Sequence, residues 1–222
     1  MTEQPTGVLV SDFDGTMTRH DFYLLVIESL LPPETPDYWA EYRAGTITHF
    51  EALRRDFADI RASEDEVLAV VERMELDPHL RATVDALRQA GWQVVVTSAG
   101  CDWYIRRLLG EAGVNVEVHS NPGRFVAGQG LLMEMPTRSP FLSPTLGVDK
   151  AAVVRSYLES GRPVAFAGDG YPDADPARLV PGDLRFARGA LATVLSNEGF
   201  PFHPFETWSD IARVLLQRGA GT

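Results

Sequence analysis

Gly7-Val8-Leu9-Val10-Ser11 is an apolar run without polar alternation, and it stops abruptly at Asp12-Phe13-Asp14-Gly15-Thr16. A short unbroken run of this kind, closed by a glycine-containing polar loop, reads as a buried strand. Such strands lie inside parallel sheets that helices cover on both faces. This one strand therefore narrows the fold classes sharply. It also places two carboxylates at its end, where sheets of this type bind their ligands.

The remainder of the chain supports that frame. Residues 21–31 form an apolar segment closed by Pro32-Pro33, which predicts a helix ending there. From residue 34 to residue 77 the pattern is helical and free of strands. Ser63 followed by Glu66 forms a capping box, and Val67, Val70, Val71 and Met74 follow at helical spacing. Between Asp56 and Asp77 lie eight acidic residues against Arg61 and Arg73, which reads as a solvated helical face. Asp77-Pro78 predicts a helix start, with Leu80, Val84 and Leu87 on one stripe and Gly91 past the end. Residues 92–97 read as a strand that Ser98-Ala99-Gly100 breaks before a helix over 101–112. Further strands are expected at 114–118, 163–167 and 184–187, with helices at 149–158, 190–196 and 207–217. Residues 124–127 and 131–135 form a candidate hairpin.

This alternation predicts an α/β fold, a Rossmann-like doubly wound parallel sheet. Residues 1–16 and 77–222 would form the core, and residues 17–76 a small helical cap inserted after the first strand. A chain of 222 residues buries such a core without staples, and its single cysteine, Cys101, rules out a disulfide framework or a Cys-cluster metal site. Thirty-one acidic against twenty basic residues give a net charge of −11, with no Lys/Arg run, which disfavours nucleic acid and anionic membranes as partners. The opening Met-Thr-Glu-Gln-Pro has no basic or apolar leader character, and no apolar run is long enough for a membrane helix. A cytoplasmic protein is expected, as a monomer or homodimer.

Asp12 and Asp14 fall on one side of a continuing strand, and two adjacent carboxylates repel unless a cation or proton intervenes. A hard divalent cation such as Mg²⁺ would resolve that conflict through oxygen ligands. Ser98, before Ala99-Gly100 and a helix, offers a hydroxyl and free backbone N–H groups to an anion, with Thr97 a competitor for the role. Lys150 opens a helix, where the dipole disfavours a cation, and a phosphate contact would explain it. Gly168-Asp169-Gly170-Tyr171-Pro172-Asp173 delivers two more carboxylates after an apolar strand. The five histidines show no metal spacing, and no Gly-x-Ser-x-Gly elbow is present. His20 lies near the first motif, close enough in sequence to touch a substrate, while Trp92 and Trp103 read as core.

As an ordered set, Asp12-Phe13-Asp14-Gly15-Thr16, Ser98, Lys150 and Gly168-Asp169-Gly170-x-x-Asp173 resemble the four motifs of the haloacid dehalogenase superfamily of phosphohydrolases. The insert resembles the cap of its phosphoserine phosphatase-like branch. Tyr42-Arg43-Ala44-Gly45, Ser98-Ala99-Gly100-Cys101-Asp102, Phe186-Ala187-Arg188 and Gly199-Phe200-Pro201-Phe202 are similar to the methylthiopentenyl phosphate phosphatase group of methionine salvage. The cysteine-rich segment of some members is replaced here by residues 136–147, which hold no cysteine.

The resemblance implies a Mg²⁺-dependent phosphatase of a small phosphorylated metabolite. Asp12 would be the nucleophile that forms an aspartyl-phosphate, and Asp14 the general acid and base. Asp12, Asp14 (through its backbone carbonyl) and Asp169 would hold the metal, with Asp173 supporting the shell and orienting Lys150. Ser98, Ala99, Gly100 and Lys150 would bind phosphate, and His20 and Asp21 would approach the substrate. In phosphoserine phosphatases a cap helix resembling Phe-Glu-x-Ser-Leu-Arg-x-Arg ends in a carboxylate-binding arginine. Here the segment reads Phe50-Glu51-Ala52-Leu53-Arg54-Arg55-Asp56-Phe57, so that position falls on Phe57 or Asp56, and neither pairs with a carboxylate. A keto-enol or sugar phosphate is the expected substrate. Phosphoserine or phosphocholine hydrolysis, phosphoryl transfer between sugars and a non-catalytic phosphate-binding protein are the alternatives.

Overall fold

A computed structural model describes residues 6–219. In chain order the elements are β1 (Gly7–Ser11), α1 (Phe22–Ser29), α2 (Tyr38–Arg43), α3 (His49–Ala58), α4 (Glu64–Glu72) and α5 (Leu80–Gln89). There follow β2 (Trp92–Cys101), α6 (Asp102–Glu111), β3 (Glu117–Asn121), β4 (Gly123–Val126), β5 (Gly130–Met133), β6 (Leu142–Ser143) and β7 (Gly147–Val148). The chain continues through α7 (Lys150–Leu158), β8 (Val164–Gly168), α8 (Ala174–Leu179), β9 (Arg185–Ala187), α9 (Gly189–Glu198), β10 (His203–Pro204) and α10 (Trp208–Gly219).

Six strands form one sheet in the order β10-β9-β8-β1-β2-β3, and every neighbouring pair is parallel. All five residues of β1 are buried, because hydrogen-bonded strands flank it and helices cover both faces. The two-residue period of the strand divides its side chains between two cores. Leu9 joins Val94, Val96, Leu87, Ile105 and Leu215 on one face. Val8 and Val10 join Val153, Val154, Phe166, Leu191 and Leu195 on the other. Leu9→Ala would cost about 2–5 kcal/mol through the cavity it leaves.

The helices α1 to α4 depart between β1 and β2 and share the first of these cores, contributing Phe22, Phe57, Val67, Val71 and Met74. The capping box forms as the spacing predicts, with Ser63 N–H donating to Glu66 Oε2 at 2.8 Å. The 124–127/131–135 hairpin appears as β4 and β5, and α3 lies against it.

Several expected boundaries shift. Ser98-Ala99-Gly100 does not end β2. The strand continues to Cys101 through a register shift after Thr97, because pairing with β3 resumes at Asn121 and the Asn121 amide donates to Ala99 O at 2.7 Å. The strand expected at 114–118 lies at Glu117–Asn121. The helix expected from Asp77 begins at Leu80. The Asp77 carboxylate instead accepts from His79 N (2.8 Å), Ser209 N (2.8 Å) and Ser209 Oγ (2.7 Å), tying the end of the helical insert to α10. Within the acidic run taken as a solvated face, Asp56 and Asp77 are buried. No helix among the described residues is long and apolar enough to cross a membrane.

Candidate active site

Parallel neighbours put the loops after β1, β2 and β8 at one sheet edge, and the first turn of α7 joins them. Asp12 follows β1 directly, and its N–H donates to Ala167 O at 2.9 Å, extending the pairing with β8 by one residue. Lys150, the first residue of α7, is almost fully buried. Its ammonium donates to Asp12 Oδ1 and Asp173 Oδ1, both at 2.7 Å. The two carboxylates offset the unfavourable dipole at that position. Burial alone would lower the Lys150 pKa, but Asp12 and Asp173 reverse this and hold it above the ordinary lysine value.

Asp173 also organises the loop after β8, accepting from Asp169 N (3.1 Å) and Gly170 N (2.9 Å) through Oδ2. Thr16 Oγ1 donates to Asp169 Oδ1 at 3.1 Å and lies 3.4 Å from Asp12 Oδ2. Gly15 turns the chain here with φ +66°, and a Cβ at that position would strike the Asp169 carboxylate. Carboxylate oxygens of Asp12, Asp169 and Asp173 lie within 4.8 Å of one another. Burial and then the neighbouring Asp173 raise Asp12 well above the carboxylate range, with Lys150 opposing, and burial with Asp173 pushes Asp169 up to about 7. Surplus buried negative charge among oxygen donors is the environment a hard divalent cation fits.

Asp14 stands apart from that cluster. Its Oδ2 accepts from Ser98 Oγ (3.1 Å) and Tyr104 Oη (3.0 Å), while Phe22 N donates to Oδ1 at 3.4 Å. Burial, then Asp21 and Asp12, push its pKa up to about 8 against those two hydroxyl bonds. Gly100 N donates to Ser98 Oγ at 2.9 Å, and a side chain at Gly100 would collide with Tyr104 Oη. Tyr104 belongs to the site and was not legible as such, since a buried tyrosine on a helix face reads as core. Arg188 was equally hidden in role. Its guanidinium donates to Gly15 O (2.5 Å), Thr18 O (2.6 Å) and Glu206 O (2.7 Å), strapping the turn after Asp14 to the core.

Above these groups lies a cavity of about 460 Å³, floored by Asp12, Asp14, Ser98, Lys150 and Asp169. Its roof comes from α1 to α3, chiefly Tyr23, Trp39, Tyr42, His49, Leu53 and Phe57. Asp21 caps α1 by accepting from Tyr23 N at 2.7 Å, and it lines this cavity. His20 does not. It lies exposed in a neighbouring depression, 3.8 Å from Glu75. His49, one of the five histidines without metal spacing, lines the cavity. Phe22 and Phe50 are core residues. Arg54 and Arg55 are both tied to Glu51, at 2.7 Å, and neither lines the cavity.

The family model described as haloacid dehalogenase-like hydrolase matches residues 9–178. A 2-hydroxy-3-keto-5-methylthiopentenyl-1-phosphate phosphatase of Exiguobacterium sibiricum is 24% identical over 212 residues, covering 91% of this chain and 93% of its own. A polyol phosphate phosphatase of Saccharomyces cerevisiae is 28% identical, covering 97% and 95%. Among solved structures, a phospho-aspartyl intermediate analogue of phosphoserine phosphatase superposes with a TM-score of 0.62 at 15% identity, covering 95% and 99%.

Proposed function

Since the chain belongs to the haloacid dehalogenase-like hydrolases and is a phosphoric monoester hydrolase, we propose that it cleaves small, neutral-bodied phosphomonoesters with Mg²⁺ through an aspartyl-phosphate on Asp12. The observation that carries this reading is the contrast between two carboxylates two residues apart. Asp12 is bonded to the buried Lys150 ammonium at 2.7 Å, a contact that favours its anionic form against burial and Asp173. Asp14 is held by hydroxyls, with its pKa raised to about 8. A carboxylate bonded to a cation beside one bonded only to neutral donors supports the first as nucleophile and the second as acid.

Asp12 Oδ attacks phosphorus, and protonated Asp14 delivers its proton to the leaving oxygen. Asp14, now a carboxylate, takes a proton from the water that cleaves the acyl phosphate. Lys150, Ser98 and the backbone at Ala99 and Gly100 hold the phosphoryl oxygens, where positioning and charge stabilisation dominate the rate. Asp12, Asp169, the backbone carbonyl of Asp14 and, in support, Asp173 would hold Mg²⁺. When bound, the ion neutralises charge around the phosphoryl group. Residues 17–76 act as the cap.

The cap chooses the substrate. Arg54 and Arg55 are occupied by Glu51, and Asp56 and Phe57 stand where a carboxylate clamp would be needed. An aromatic roof over about 460 Å³ suits a keto-enol or polyol phosphate, the substrates named for the relatives above. A Mg²⁺-supplemented screen of phosphorylated metabolites, repeated after chelation, tests the reading. Turnover of neutral-bodied phosphates that chelation abolishes is expected. A tenfold preference for phosphoserine, or undiminished activity without metal, would overturn it.

A further inference from the structure

The roof of the cavity contains polar atoms that nothing among the described residues satisfies. Tyr23 is only 7% exposed, and its hydroxyl is buried without a hydrogen-bond partner. His49 Nδ1 is likewise buried and unpartnered, and both side chains line the cavity above Asp12. Buried polar atoms are nearly always hydrogen-bonded, so two exceptions in one wall need an explanation. Nor are these side chains loosely placed. Trp39 packs edge-on against both rings, with centroids 4.6 Å from Tyr23 and 5.1 Å from His49, and Tyr42 closes on His49 at 5.6 Å. The aromatic packing fixes where the two free atoms lie.

We infer that Tyr23 and His49 are the specificity-determining residues of this site, each completing its hydrogen bonding on an uncharged hydroxyl or carbonyl oxygen of the substrate body. The inference rests on the phosphatase reading above and extends it from the phosphate to the rest of the molecule. A phenol both donates and accepts, as an alcohol does. Burial pushes His49 down to about 4, so near neutrality its ring is uncharged and offers one donor and one acceptor. Both groups are uncharged, so neither supplies the ion pair that a carboxylate or an ammonium needs to offset its desolvation. A site built to bond an oxygen discriminates against the analogue that lacks it, because the buried partner is then left unpaired.

The test compares two substrates of equal length, erythritol 4-phosphate and n-butyl phosphate, in the wild type and in Tyr23→Phe and His49→Phe. Both variants retain the ring that packs against Trp39. The wild type should prefer the polyol phosphate in kcat/KM, and each variant should reduce that ratio by about tenfold, mainly through KM for the polyol. An equal loss on both substrates, with the ratio unchanged, would overturn the inference, as would a wild type indifferent to the hydroxyls. p-Nitrophenyl phosphate with Mg²⁺ separates this failure from failure of the reading beneath it. Turnover that Asp12→Asn abolishes, without a hydroxyl preference, sinks only the specificity assignment. No turnover of any phosphomonoester sinks the phosphatase mechanism and the inference with it.

Discussion

The floor and the roof of the cavity are built on opposite principles. On the floor every charged group has a partner in the protein. Lys150 bridges Asp12 and Asp173, and Asp14 is held by Ser98 and Tyr104. In the roof, rings pack on rings, and Tyr23 Oη and His49 Nδ1 have no partner. Chemistry that must be repeated on many molecules needs groups already in place before substrate arrives. Selection among molecules uses bonds that only the right one completes. A saturated floor and an unsaturated roof divide these two tasks.

The comparison breaks most severely at the nucleophile. Asp12→Asn removes the anionic oxygen with almost no change of volume, and turnover should fall below a few per cent while the fold persists. Steady-state kinetics beside a thermal melt check this, and retained activity would put the floor's chemistry elsewhere. Lys150→Met tests whether the floor is truly self-paired. Two buried carboxylates lose their cation, so stability should drop by about 3–5 kcal/mol in denaturant titration, and activity should be lost with it.

A buried carboxylate of α3, outside the cavity, gives a smaller, pH-dependent effect. Asp56 Oδ2 has no partner, and burial, then Asp59 and Asp37, push its pKa up to about 7 from 3.8. The folded state therefore holds a proton that the unfolded state releases. Its stabilising effect is full below about pH 4 and is lost as pH rises through about 7. Asp56→Asn should flatten that part of the stability profile and add about 1–3 kcal/mol at pH 8, measured by unfolding at pH 5 and pH 8. The smallest effect is expected at Arg54 and Arg55. Their ion pairs with Glu51 lie on a largely exposed face, so the double alanine variant should alter kcat/KM for neutral-bodied phosphates less than twofold. A larger loss would mean that the cap shifts and brings an arginine inside.

What could be read from the sequence follows the same division. Asp12, Asp14, Lys150, Asp169 and Asp173 were legible because each lies near a strand end or opens a helix, where local pattern marks the ligand-bearing edge, and Ser98 because Ala99-Gly100 follows it, although β2 runs on to Cys101. Asp173 was expected to support the metal shell and to orient Lys150, and the two side chains meet at 2.7 Å where α7 and β8 lie side by side. Tyr104, Arg188 and His49 carry no local signal. Their roles come from what approaches them across long sequence separations, as when Arg188 reaches Gly15 O. Asp56 misled for a related reason, since an acidic helix predicts exposure until a neighbouring helix covers one of its faces.

The position of β1 between β2 and β8 has a consequence for how the enzyme comes into being. Asp12 leaves the ribosome long before Val164–Gly168 or Arg188, so its strand must wait for one of its two neighbours and its turn for the guanidinium that straps it. Pairings this distant along the chain close late and slowly. A translation product that stops short of β8 carries Asp12 without Asp169 and Asp173 beside it. The carboxylate cluster that Lys150 bridges is thus completed only after β8 has joined β1.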